Sequence, residues 1–398
     1  MKKILMVAAL AAMGAGAAPV VEITSVQQQY PWTNTVDITY TSTGIAEENT
    51  YYVVFKAQDS AGKEIDVITN ALKVSQGSTW VAQWQPPFNV RYENCTMTPY
   101  VYKGGQDDYM IVDLETWKVA FEGMSTQDAS NEKYNTNEYK TKKLVLRKIA
   151  GDKSYTIGHN NPSATSSDNR PNTVHQCFVP RDYYEAIFIC TRGQYRRIMN
   201  DTSIADSEMP MGDVSWNTIR GSAGVTADPS ETCVLGLLNS KTKSNGFGSG
   251  RGFDLPTESM WEIAARAGVE TRYLWGDTTS GYSDWCWAMD NSGKAIKPVG
   301  GKKPNNWGLY DVNGNVDEIV RDVARNSGAD LAAETAQAQN VFIPISQGKS
   351  TGRVLRGLGG ANCDGIDSGW YQLSISWHAA GASSTWGHVG FRIAYIPE

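Results

Sequence analysis

The chain is poor in the residues that most metal and nucleophile chemistry requires. Only four histidines occur in 398 residues, too few for a histidine-rich metal centre. None of the six cysteines (Cys95, Cys177, Cys190, Cys233, Cys286, Cys363) stands in CxxC spacing, which argues against structural zinc. The zinc-protease pattern HExxH and the phosphate-loop pattern GxxxxGK[ST] are missing. No surplus of positive charge exists either: the formal net charge is −6, so generic binding to a nucleic-acid backbone is not expected. No apolar run approaches the roughly 20 residues that span a bilayer, and no tandem repeat is visible. What is abundant is aromatic. The 13 Trp and 19 Tyr outnumber the 9 Phe, so most rings carry a polar tip that suits half-buried positions and contact surfaces. With 41% hydrophobic and 20% charged residues, the composition is that of a soluble globular chain of two or three domains.

Residues 1–18 read as an export signal. Lys2 and Lys3 precede a short apolar stretch, Ile4 to Met13, and Ala15-Gly16-Ala17 offers the small-x-small pattern cut by signal peptidase. No cysteine follows that stretch, which disfavours a lipid anchor. The expectation is therefore an exported protein: periplasmic, cell-surface or secreted. Outside the cytosol an even number of cysteines permits disulfides. Six in so long a chain is not a disulfide-dense scaffold, and the expectation is one or two disulfides plus buried thiols.

Residues 19–124 alternate with period two. Val36, Ile38 and Tyr40 fall on one face, Asp37 and Thr39 on the other. Further runs at Tyr51–Ala57, Val67–Val74, Thr79–Trp84, Thr96–Tyr102 and Tyr109–Leu114 are separated by polar or glycine turns. This predicts an all-β sandwich of immunoglobulin or fibronectin type. Residues 125–142 hold almost no aliphatic side chains and read as a polar linker. From 143 to 398 glycine becomes frequent and strands short, and two helices are predicted, Thr191–Met199 and Thr257–Ala267. In the second, Pro256 and Glu258 mark the start, Gly268 the end, and Met260, Ile263, Ala264 and Ala267 repeat at helical spacing. The fold class is α+β, a sandwich followed by a mixed domain. Asn313-Gly314 supplies a tight turn tolerant of positive φ.

Several ordered segments carry a resemblance: FDLPTESMWEIAARAG (Phe253–Gly268), YLWGD (Tyr273–Asp277), KPVGGKKPNNWGLYDVNGNVDEIVRD (Lys297–Asp322), RVLRGLGG (Arg353–Gly360) and GHVGFRIAY (Gly387–Tyr395). LVLRKIAGDKSYTIG, FVPRDYYEAIFICTRGQYRRIM and VSW fit ahead of them. Together they resemble the sulfatase-modifying-factor, or formylglycine-generating-enzyme, domain over residues 143–398. The resemblance implies a glycine-rich variant of the C-type-lectin fold. It also implies an oxidase chemistry in which two closely spaced cysteines after the RVxRGG segment bind copper and activate oxygen, converting a substrate cysteine to formylglycine.

The sequence departs from that pattern where the chemistry lies. Cys363 falls near the first cysteine position and is the candidate catalytic residue, but Asp364, Gly365, Ile366, Asp367 and Ser368 follow it without a second cysteine. Soft Cu(I) wants the thiolate couple, so copper is not expected to bind. The resemblance also places Ca²⁺ at the segment that here reads Gly314-Asn315-Val316-Asp317-Glu318-Ile319. Asn315 and Glu318 would give side-chain oxygens and Val316 its backbone carbonyl, the hard donors that suit calcium. In place of the cysteine pair stand Trp370, Tyr371, Trp377, His378, Trp386 and His388, scattered among serine, glycine and alanine. Large rigid rings among small adaptable residues suit a recognition surface. Three functional readings follow: an exported protein whose lectin-like domain binds a protein, peptide or glycan without catalysis; a copper- and oxygen-dependent formylglycine-generating oxidase; or a structural component of the cell envelope.

Overall fold

In the computed structural model of the chain the described residues are 20–28, 36–44, 51–60, 64–65, 72–74, 79–84, 95–103, 108–123, 132–158, 174–245, 247, 252–324, 337–346, 352–357, 377–378 and 381–396. The chain divides into two compact units, residues 1–108 with 123–129, and residues 109–122 with 130–398.

In the first unit, β1 (Val20–Gln28), β2 (Val36–Thr43) and β6 (Thr79–Trp84) form an antiparallel sheet in the order β1-β2-β6. In a second sheet β3 (Tyr51–Gln58) pairs with β4 (Glu64–Ile65), β5 (Leu72–Val74) and β7 (Thr96–Lys103). Alternation does what it predicts: Val36, Ile38 and Tyr40 are buried while their neighbours are not. Both sheets feed one apolar cluster, in which Val21, Ile38, Tyr40 and Ala82 meet Val53, Phe55, Ala57 and Met97. The Tyr40 and Phe55 rings pack edge to face with centroids 5.2 Å apart.

The boundary between units differs from the one expected at residue 124. β8 (Tyr109–Asp113) and β9 (Val119–Glu122) leave the first unit and pair onward into the second: Lys143–Arg147 of β10 (Lys143–Ile149) runs antiparallel to β8. Period-two alternation fixes which face a strand buries but not which sheet takes it, and Met110 and Val112 find their core beside Leu144 and Leu146. The expected linker is likewise structured from residue 132. A 3₁₀ turn, Glu132–Tyr134, buries Tyr134 completely against Tyr109, and α1 (Asn137–Thr141) leads straight into β10. Single tyrosines anchor this segment where aliphatic residues are missing.

The six-stranded sheet of the second unit is completed by β13 (Tyr183–Ala186), β14 (Gly252–Asp254) and β19 (Ala394–Ile396), in the order β14-β19-β13-β10-β8-β9. β11 (Lys153–Ile157) pairs with β12 (His175–Val179). Four short strands, β15 (Asp317–Val323), β16 (Arg353–Arg356), β17 (Trp377–His378) and β18 (Val389–Gly390), form a further sheet in the order β17-β16-β15-β18.

Both expected helices are present. α2 (Arg192–Met199) opens with a full capping box, in which the Thr191 hydroxyl accepts from Gln194 N and the Gln194 side chain accepts from Thr191 N. α3 (Trp216–Arg220) and α4 (Val234–Ser244) follow, and α4 is capped by the thiol of Cys233. α5 (Glu258–Arg266) is capped by Thr257 and ends on Ala267 at φ +47, with Gly268 beyond. A last short helix is α6 (Met289–Ser292). Periodicity identifies one apolar face on α5, yet all nine residues are buried. Its charged positions are neutralised within the fold: Arg356 pairs with Glu258 and Glu262, and Arg266 pairs with Glu262.

Candidate functional site

Residues 381–388 are pinned by backbone contacts from three places. Asn217 N donates to Ala382 O, Asp213 N to Trp386 O and Asp317 N to His388 O. Gly212 passes so close beneath this loop that a Cβ there would lie 2.2 Å from Gly387 O. Asp213 takes φ +57 at the same crossing. The loop thus holds Trp386 and His388, two residues apart, with rings stacked in near-parallel planes (5°) and centroids 5.8 Å apart. Both are half-buried, and Trp386 packs its inner side against the core. His388 Nε2 lies 3.8 Å from Asp317 Oδ2. Burial lowers the imidazole pKa below its ordinary value, an effect the Asp213 carboxylate partly offsets. Near neutral pH the pair therefore presents an uncharged aromatic face backed by carboxylates.

Of the other predicted aromatic positions, Trp377 and His378 lie on a strand remote from this loop's strand. β17 and β18 stand at opposite edges of the four-stranded sheet. Trp377 and His378, paired through their backbones with Leu355 and Val354, are thus about 14 Å of sheet width from the strand that follows His388. Trp370, Tyr371 and the candidate catalytic Cys363 lie outside the described residues.

The calcium expectation meets a donor set that is already committed. Asn315, at φ +64, uses its amide on both backbone groups of Lys297: Oδ1 accepts from Lys297 N at 2.9 Å and Nδ2 donates to Lys297 O at 3.1 Å. Glu318 is fully buried. Its Oε1 accepts from Arg392 Nη2 at 2.7 Å, and its Oε2 from Arg392 Nε at 3.0 Å and from Trp261 Nε1 at 2.8 Å. Arg392 spends its remaining donors on Ala186 O and Tyr310 O. In this geometry Asn315 and Glu318 do not fit Ca²⁺, because the side-chain oxygens that would face the ion accept from protein donors. Among the described residues no group of three or more His, Cys, Asp or Glu is placed to hold a metal ion.

The thiols are similarly withdrawn. Cys177, Cys190, Cys233 and Cys286 are free and buried, where one or two disulfides were expected. Small apolar pockets suit a thiol as well as a methyl group. Burial pushes the Cys177 and Cys286 thiols up to about 12 and raises those of Cys190 and Cys233 in the same direction. Thiols of this kind stay protonated near neutral pH and are poor nucleophiles.

What sequence reasoning misses is the ionic interior. Arg220 pairs with Asp254 at 2.6 Å, Arg321 approaches the same carboxylate at 3.3 Å, and Asp322 accepts from Glu258 N, Ile345 N and Gln337 Nε2. The signal available was the repeated Arg in RVLR and GFR, here Arg356 and Arg392, facing acids far away in sequence.

The second unit is thus a glycine-rich domain of short strands and few helices, held by buried arginine–carboxylate pairs, with a pinned aromatic loop just before β18. A family model of the sulfatase-modifying factor enzyme 1-like domain matches residues 149–396, and the chain belongs to that family. A formylglycine-generating enzyme of Streptomyces coelicolor is 27% identical over 198 residues, 45% of this chain and 60% of that protein. An inactive C-alpha-formylglycine-generating enzyme 2 of Mus musculus is 34% identical over 91 residues, 20% of this chain and 30% of that protein. The chain thus spans less than two thirds of either relative's length. Treponema denticola variable protein 1 is similar in structure, at 20% identity and a TM-score of 0.49, over 64% of this chain and 96% of that one. Among the described residues no helix is long and apolar enough to cross a membrane.

Proposed function

We propose that this is an exported binding protein of the sulfatase-modifying-factor family, in which an immunoglobulin- or fibronectin-like sandwich precedes a lectin-like domain that holds a ligand without oxidase chemistry. The observation that carries the reading is the Trp386–His388 stack. A rigid, half-buried aromatic pair backed by carboxylates can dock a protein, a peptide or a glycan by ring contact and hydrogen bonding. The absence of a second cysteine after Cys363, together with the burial of the five described thiols, argues against a copper site. That one relative of the family carries the name of an inactive enzyme is compatible with a member that binds only.

The competing reading is the copper- and oxygen-dependent oxidase, favoured by the relative named as a formylglycine-generating enzyme. One experiment separates them. Purified protein is incubated with Cu(I), oxygen and a CxPxR peptide, and the product is weighed by mass spectrometry. No aldehyde is expected; a peptide converted to formylglycine overturns the proposal. In parallel, glycan and peptide arrays probed with the protein should give a signal that Trp386→Ala and His388→Ala abolish. A signal unchanged in both variants removes the stack from the site.

A further inference from the structure

A cleft of about 380 Å³ opens on the second unit, a volume suited to a small molecule. Its lining shares no residue with the Trp386–His388 surface. One wall is the turn that begins at Glu132. The other is the Gly300–Pro304 loop with Ser283 and Asp284, and Tyr310 contributes between them.

The two walls are fixed to each other. Gly300, at φ +73, donates its N–H to Asp311 Oδ2 at 2.7 Å, and its carbonyl accepts from Asn135 Nδ2 at 3.0 Å. Any side chain at position 300 would meet Asn135 Oδ1 at 2.5 Å. The cleft is therefore pre-formed rather than assembled on binding.

Its charges are balanced: Glu132 and Asp284 stand with Lys302 and Lys303 in the lining. Glu132 is exposed and makes no ion pair among the described residues. The Gly300–Pro304 loop brings two ammonium groups to the same cleft. Lys302 lies over the Trp287 ring, 3.8 Å from its centroid, and donates to Ser283 O. Lys303 pairs with Asp284 at 2.7 Å, with both side chains more than half exposed. An exposed pair of that kind is worth about 1 kcal/mol or less, so an incoming carboxylate can replace Asp284 at little cost. A simple anion would face Glu132 and Asp284, and a simple cation would face Lys302 and Lys303. Stacking of a sugar ring finds no platform, since Tyr310 is 2% exposed and its ring is stacked on Phe188.

We propose that this cleft binds a small zwitterion, a free amino acid or a short peptide with both ends uncapped, its ammonium at Glu132 and its carboxylate at Lys303. The proposal does not rest on the Trp386–His388 surface. The test is calorimetric titration of the full chain with glycylglycine, N-acetylglycylglycine and glycylglycinamide. Glycylglycine should saturate one site, and each capped form should bind at least about tenfold more weakly, the effect of losing one charge-assisted contact. Glu132→Gln and Lys303→Gln, both at exposed positions, should each weaken glycylglycine by about the same factor with an unchanged melting curve. Equal binding of a capped form, no saturation by glycylglycine, or affinity unchanged in either variant overturns the assignment.

Discussion

Replacing Arg392 with methionine isolates what the buried ion pair contributes. The guanidinium makes two contacts to Glu318 and one each to Ala186 O and Tyr310 O, all with no solvent access. Methionine preserves much of the volume but leaves Glu318 with the Trp261 indole as its donor in a site water does not reach. Breaking one side of a buried pair costs about 3–5 kcal/mol, because the surviving charge is uncompensated. At about 2–4 °C per kcal/mol for a domain of this size, the melting transition of the second unit should fall by roughly 6–20 °C. The double variant Arg392→Met with Glu318→Gln removes the stranded charge and should recover a large part of that loss. Calorimetry or urea unfolding followed by tryptophan fluorescence measures both. A loss below about 1 kcal/mol for the single variant, or a double variant no better than the single, refutes the argument that this carboxylate is charged and dependent on Arg392.

Burial pushes the Asp311 carboxyl up to about 6, with the Gly300 N–H opposing the shift. A raised carboxyl stabilises the fold fully below its unfolded value near 4, and that contribution is lost as pH rises through about 6. Asp311→Asn should therefore flatten the fall in stability between about pH 4 and 6, read from urea midpoints. Asp322, raised in the same direction by burial, keeps part of the slope. Gly314→Ala would place a Cβ 2.3 Å from Trp287 O at φ +80, and a loss above about 1 kcal/mol is expected in the same assay. Chelation with EDTA should leave the melting temperature within about 1 °C, since Asn315 and Glu318 already have protein partners; a larger drop would show a bound cation that stabilises the native state. A fragment beginning at residue 143 lacks β8 and β9 and should fail to give a cooperative transition, whereas one beginning at residue 109 should give one.

The local signals were legible and the long-range ones were not. Pro256, Glu258 and Gly268 announce the ends of α5 because start and stop signals lie within a turn of the helix they bound. Val36, Ile38 and Tyr40 announce a buried face for the same local reason. By contrast, β8 carries no mark that its partner is β10 rather than a strand of the first unit, because alternation is silent about pairing. Glu318 was expected to bind calcium because the family resemblance places the ion at its segment, but Arg392, the group that claims it, lies 74 positions away. The aromatic residues between 368 and 388 read as one cluster on paper. Strand order separates two of them from Trp386 and His388, and no periodicity in that stretch encodes strand order.

The position of β19 inside the six-stranded sheet sets a timetable for biosynthesis. β13 leaves the ribosome with its β19-facing backbone groups open, and the strand that will cover them follows roughly 200 residues later, a wait of about 10–40 s at bacterial and eukaryotic translation speeds. During that interval the nascent polypeptide exposes a hydrogen-bonding rim able to capture a neighbour. A stop codon placed just before position 394 should accordingly yield inclusion bodies rather than a slightly shorter soluble product.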